Sequence, residues 1–396
     1  HTHTHTHNHT LTQPHPQQRV FLRSWKDAEG VEPHSSYKRA MLPPSSDALL
    51  SRPASSFNTR LCQDMLNKKA RCPINVVTWT PQGRRLMTGH ASGQFSMWND
   101  LVFDYDVHLD AHSSPVRAME WSHNGMYMIS ADQNGVLHYC QLNLRPQHVF
   151  TGHDEPIRAV SFSPNDSKFV TCSDDKTLKV WDFWSRKTDC VLKGHLWDCR
   201  SADWHPSKAL IASGGKGSFV KFWDPSSGKC IKTIKPANNG MLKVSWNQNG
   251  NWLLTSSKDR HLKVFDIRQM KEFATMRSEY KEQVSVAWHP IHESVFATGG
   301  MDGSLLFWVV PHEAPLAQVP MAHEAAVWSI AYHPAGHLLA SGGNDFRAKF
   351  WCRARPGDHP KTFFVSRLHG PGDDDEGVEL GPVGAPPLPK VAVSKR

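Results

Sequence analysis

Along AVSFSPNDSKFVTCSDDKTLKVWDF (159–183), apolar and polar residues alternate in three short runs broken by Ser-Pro-Asn-Asp and Ser-Asp-Asp-Lys. A period of two with turn residues at the breaks predicts three short antiparallel strands. The pattern repeats along the chain. A bulky residue followed by a turn stands at Trp79, Trp121, Phe162, Trp204, Trp246, Trp288 and Tyr332. A second anchor follows at Trp98, Cys140, Trp181, Trp223, Phe265, Trp308 and Trp351, at offsets of 19, 19, 19, 19, 19, 20 and 19 residues. Successive second anchors are 41 to 43 residues apart, a period that marks a repeat architecture.

A sheet of that size cannot bury both faces by itself, so the units must stack, and closing them in a ring leaves only short protected edges. The predicted fold is therefore all-β, a seven-bladed propeller over about 74 to 353. Closure needs a strand from one end of the chain to complete the sheet begun at the other. The segment FNTRLCQDML (57–66) precedes the first unit and is expected to supply the outer strand of the last blade. This divides the chain into a low-complexity, extended segment (1–56), the propeller (57–356) and a disordered tail (357–396). The tail reading rests on GPGDDDEGVELGPVGAPPLPK, which is rich in Gly, Pro and acids without periodicity.

Composition narrows the function. The formal charge of +8 and pI near 9.0 favour an anionic partner such as RNA. The eight cysteines form no CxxC pair and no metal-ligand spacing, so they read as free thiols in a reducing compartment. The chain has no apolar run near the length of a membrane span, and no signal peptide or membrane partner is expected. Five histidines alternate in HTHTHTHNHT and would share one face of a strand as a metal tract, but low-complexity sequence is the simpler reading. No cofactor or metal is expected. His153, Thr171 or Ser173, and Asp175 have the composition of a hydrolase triad. Equivalent residues recur in other units, with Asp259, Asp302 and Asp345 also six before a second anchor, which suits a structural set and not an enzyme.

WDF at Trp181, WDP at Trp223, FDI at Phe265 and GH at His153 and His195 resemble the WD-repeat family. The resemblance implies hydrogen-bonded blade sets of His, Ser or Thr, Asp and Trp, here His153, Asp175 and Trp181, and His323, Asp345 and Trp351. Outside the generic pattern, RCPINVVTWTPQGRRLMTG from Arg71, GNWLLTSSKDRHLKVFDIR and NDFRAKFWCRARPGD from Asn344 are more specific. With WNDLVFDYDVHLDAH (98–112), they resemble the WD-repeat subunit family of the cleavage and polyadenylation specificity factor, with the likeness running from Arg19 to Asp358. That resemblance implies a nuclear scaffold that helps read an AAUAAA-type signal in pre-mRNA, alongside a large propeller scaffold and a zinc-finger subunit. It assigns RNA contact to Tyr105, which would stack on a base, to His108, and to Lys69 with Lys68 and Asn67 beside it. Rings and ammonium groups are what single-stranded RNA requires.

Two features set limits on the transfer. In the family a basic segment with an aromatic precedes the part that aligns with Arg19, whereas HTHTHTHNHTLTQPHPQQ holds no Lys or Arg. The chain by itself is therefore expected to grip RNA weakly. His108 also stands where the family has an aliphatic residue. From the residues alone packing is the favoured reading of Tyr105, and the resemblance reverses it in favour of RNA contact. In a regular strand Phe103, Tyr105, Val107 and Leu109 would share one face, and parity would separate Tyr105 from His108 unless the backbone bends between them. A different class of function, substrate adaptor of a cullin-type ubiquitin ligase, is suggested by FDIR (265–268), which resembles the WDxR pattern of such adaptors.

Overall fold

The computed structural model describes residues 57–66, 71–99, 103, 105–141, 144 and 146–353. The expected extended segment 1–56 and disordered tail 357–396 lie outside them. The described residues form seven antiparallel four-stranded sheets and no helix. Each unit thus has four strands where the sequence pattern gives three. The fourth runs through the connector between one unit and the next, as in Tyr105–Asp110, Thr188–Lys193 and Cys230–Ile234.

Burial explains why the fourth strand is hard to read. Second strands such as Lys168–Ser173 and Leu338–Gly343 are buried almost throughout, because neighbouring blades cover both faces. Outer strands are open on one edge, and Pro146–Thr151 and Cys230–Ile234 are mostly exposed, so they carry little apolar signal. Six of the seven sheets run in chain order from innermost to outermost strand. The seventh takes its outer strand from the other end of the described chain. Arg60–Leu66 pairs antiparallel with Arg347–Cys352, joined by an Arg347–Asp64 ion pair of 2.8 Å, and Phe57 packs its ring on Phe307 at 5.6 Å. The innermost strands pack each on the next, and Val327–Tyr332 packs back on Ile74–Trp79 to close the ring.

Polar latches span the blade boundaries. The His that follows the first anchor reaches the turn of the next blade in three cases. His205 Nε2 meets Gly250 O at 2.8 Å, His289 Nε2 meets Gly336 O at 3.1 Å, and His333 Nε2 meets Gly83 O at 2.9 Å across the closure. In each ring Nδ1 accepts backbone N–H groups just downstream, from Ser207 and Lys208, from Ile291 and His292, and from Ala335. Nε2 must therefore be the donor, and the rings are neutral. Inside the blades, tight turns demand glycine. At Gly135, with φ of 77°, a Cβ would lie 2.0 Å from His153 O.

Candidate RNA interface

Blade 1 carries Tyr105 and His108, two of the residues assigned to RNA. Its strands are Ile74–Trp79, Arg85–His90, Gln94–Asn99 and Tyr105–Asp110. The outer strand does not keep strict alternation. Val107 stands opposite Met97, but Tyr105, not Asp106, stands opposite Trp98, so the register slips by one residue between them. His108 stands opposite Ser96. Since Trp98 and Ser96 are two apart on one strand, register positions 105 and 108 fall on the same face of the sheet. The bend that parity required is this bulge.

The four-residue face drawn from a regular strand is corrected by the same feature. Val107 and Leu109 pack with Met87, Phe95 and Met97 toward blade 2. Phe103 is buried in a different cluster, with Trp98 and Leu86, and its ring lies 4.8 Å from Phe350 of blade 7. It sits at φ 54°, a left-handed conformation rare for a bulky residue. The first ring of the connector is therefore a wedge between blades 1 and 7. Phe103→Ala is expected to lower the melting temperature by several degrees through the cavity it leaves. A thermal melt identical to that of the parent protein would refute this packing role.

His108 is half-buried and its Nδ1 lies 3.2 Å from Ser96 Oγ. Ser96 Oγ is in turn 2.8 Å from His90 Nε2, His90 is 3.1 Å from Thr88 Oγ1, and Trp98 Nε1 donates to Thr88 Oγ1 at 3.2 Å. Burial, with His108 close by, pushes the His90 ring down to about 4. This polar line replaces the usual blade set, and the sequence reading missed it. Its signal was a GH dipeptide out of phase: His90 lies 8 residues before its Trp, whereas His153 lies 28 before Trp181.

Asn67, Lys68 and Lys69 lie outside the described residues. Their flanks are placed. Leu66 stands opposite Arg347 at the start of blade 7's third strand, and Ile74 begins blade 1 at that same rim. Position 105 enters blade 1 at the opposite rim, opposite the end of the third strand. The fold thus groups register positions 105 and 108 on one face, and the described residues Leu66 and Ile74 stand at the rim opposite position 105.

The residues read as structural sets lie deep in their blades. His153 Nδ1 is 2.7 Å from Asp175 Oδ2 and its Nε2 is 2.8 Å from Thr171 Oγ1, which accepts Trp181 Nε1–H at 2.9 Å. Burial raises the Asp175 carboxyl, but hydrogen bonds from His153 and Thr177 outweigh it and bring it down to about 2. In blade 7 His323 Nδ1 is 2.9 Å from Asp345, its Nε2 is 2.6 Å from Ser341 Oγ, and Trp351 Nε1 donates to the same hydroxyl at 2.8 Å. The His rings are wholly buried in both sets, out of reach of a substrate. In FDIR, Arg268 folds back on Asp266, with Nη2 2.9 Å from Oδ2.

Seven four-stranded blades closed in a ring, with His–Ser/Thr–Trp bonds at Trp181, Trp223 and Trp351, define a WD-repeat β-propeller. The family profile described as WD domain, G-beta repeat matches residues 105–139, 144–182, 186–224, 228–266 and 315–352. The chain is 42% identical over 364 residues to Polyadenylation factor subunit 2 of Neurospora crassa, covering 85% of this chain and 55% of that protein. It is 40% identical over 337 residues to Polyadenylation factor subunit 2 of Saccharomyces cerevisiae, covering 83% and 71%. For the protein of that name from Candida albicans the figures are 35% over 373 residues, 85% and 69%. The chain belongs to this family of WD-repeat polyadenylation factor subunits. It spans 55% and 59% of the length of its Neurospora and Gibberella relatives.

Proposed function

We propose that the chain acts in nuclear pre-mRNA 3′-end processing as a non-catalytic scaffold subunit of a cleavage and polyadenylation complex, and that it helps read an AAUAAA-type signal. The partners are a zinc-finger subunit and a large propeller scaffold. Family membership supports the process. The observation that carries the RNA reading is the bulge in Tyr105–Asp110, which sets positions 105 and 108 on one face beside the blade 1–blade 7 seam. His108 brings its Nδ1 within 3.2 Å of Ser96 Oγ, on the face that register position 105 shares. The ubiquitin-ligase adaptor reading has only the FDIR tetrapeptide behind it, and the relatives point elsewhere.

Reconstitution tests this. The chain alone is expected to bind AAUAAA RNA poorly, and addition of the two partner subunits to tighten binding sharply. Within that complex Tyr105→Ala should cost about 1 to 3 kcal/mol and narrow the preference for AAUAAA over a scrambled hexamer, while Tyr105→Phe retains most of the affinity. Lys69→Ala should instead weaken both RNAs alike and reduce the single-strand salt slope by about 0.7. If Tyr105→Ala melts lower yet its folded fraction binds as before, the residue is packing and the assignment fails. Tight, signal-selective binding by the isolated chain would contradict the shared-reading mechanism.

A further inference from the structure

Every innermost strand carries one β-bulge, at the same place in each blade. The register slips between Ile74 and Val76, Val116 and Ala118, Ile157 and Ala159, Cys199 and Ser201, Met241 and Lys243, Gln283 and Ser285, and Val327 and Ser329. The second residue of each strand is thus left out of the ladder, which re-aims its side chain. Because the innermost strands stand side by side around the ring, the bulged residues encircle one mouth of the central channel. From blade 1 onward they are Asn75, Arg117, Arg158, Arg200, Leu242, Val284 and Trp328. Three guanidinium groups occupy consecutive blades, and three apolar side chains occupy the next three.

The cationic arc has spare capacity. Arg158 already grips a carboxylate, donating from Nε to Asp174 at 3.0 and 2.8 Å and from Nη2 at 2.5 Å. Arg117 gives Nη2 to Gln133 at 2.8 Å, while its Nε is buried without a hydrogen-bond partner. Burial and the Arg158 charge beside it hold the Arg117 guanidinium below its ordinary value. Arg200 lies near Asp198, but that carboxylate is held by Lys216 at 2.7 Å. On the apolar arc Trp328 is 37% exposed although Val327 and Ile330 beside it are buried. A large ring left open on the same mouth as Arg117 and Arg200 has the composition of a binding surface.

We propose that this mouth binds a segment of a partner polypeptide that carries a carboxylate beside apolar side chains. Guanidinium groups take carboxylates in paired hydrogen bonds, and the Leu242, Val284 and Trp328 arc takes the apolar neighbours. RNA fits less well. Trp328 is a single ring on which a base could stack, Leu242 and Val284 add none, and Glu155, Asp198, Glu282 and Glu324, in the loops leading into these strands, repel an extended polyanion. A single carboxylate passes between them.

The test uses the full chain without RNA-processing partners, so its outcome is independent of the RNA reading. A phage-displayed library of random dodecapeptides is panned against it. Enriched peptides are expected to place Asp or Glu beside large apolar residues. Their affinity should fall about tenfold or more in Arg200→Glu and again in Trp328→Ala, the loss of one charge-assisted contact or one anchor. Replacing the peptide's acidic residue by Lys should restore binding to Arg200→Glu, a rescue that misfolding cannot mimic. The proposal is overturned if no such peptide enriches, or if those that do bind both variants as well as the parent. A labelled oligouridylate that loses more affinity than the peptides in Arg200→Glu would make the mouth a nucleic-acid site instead.

Discussion

Moving the protein from about pH 7.5 to about pH 5 is expected to remove most of its stability. Burial holds His90, His138 and His333 down at about 4 and His289 at about 3, against an ordinary 6.5. All four are folded with a value below that of the unfolded chain. Between 6.5 and about 4 the unfolded chain therefore binds protons that the folded one refuses. Their contribution is complete above 6.5 and falls as the pH drops through that window. Each histidine contributes a slope of at most about 1.4 kcal/mol per pH unit, and four act in one window, against a total of about 5 to 15 kcal/mol for a domain.

The geometry gives the same sign. In His289 and His333 Nδ1 accepts backbone N–H groups while Nε2 donates to a carbonyl of the next blade. A proton on Nδ1 would set donor against donor and open the seam between blades. Asp175, at about 2, adds a second loss only below 3.8. Urea unfolding at a series of pH values measures the effect. A midpoint that stays flat from about pH 7.5 to about pH 5 would sink this account.

Lys349→Ala is expected to cost about 3 to 5 kcal/mol, the loss typical of removing one member of a buried charged set. Lys349 is completely buried in the third strand of blade 7. Its Nζ donates to Ala322 O at 2.8 Å and lies 3.7 Å from Asp64 and 3.8 Å from Asp345. Asp64 belongs to the strand that closes the ring, so one ammonium ties the closing strand to the His323–Asp345 set. Removing it leaves Asp345, whose side chain is 3% exposed, with a weaker share of positive charge, and opens a cavity where three methylenes and the ammonium stood. Lys349→Met restores the volume without the charge. The difference between Met and Ala in urea unfolding measures the cavity, and that between Met and the parent measures the charge. Parent-like stability in Lys349→Met would show that the ammonium adds nothing to closure.

The repeat was legible because each unit must bury two faces, and that demand writes large anchors at fixed offsets. Trp181 and Trp351 announced themselves, as did Asp175 and Asp345 six residues before them. Their partners could be named because each set lies within one unit or at its edge. The outer strands were not legible. Cys230–Ile234 faces water along most of its length and so carries no alternation. Nor was the blade 1 polar line, since Ser96 and His108 meet only through strand pairing.

The connector that holds Phe103, Tyr105 and His108 shows where the boundary lies. The sequence by itself determined that aromatic residues stand there, and it determined the fold class, the number of blades and the strand that closes the ring. These follow from burial, which acts on residue type at a fixed period. Only the tertiary structure decided that Phe103 wedges against Phe350, and that one slipped residue brings positions 105 and 108 to a common face. It alone turned seven scattered second residues into one mouth of arginines and apolar side chains. Periodicity assumes a regular strand, whereas a bulge is set by the pairing partner. The face a side chain occupies therefore depends on residues far along the chain.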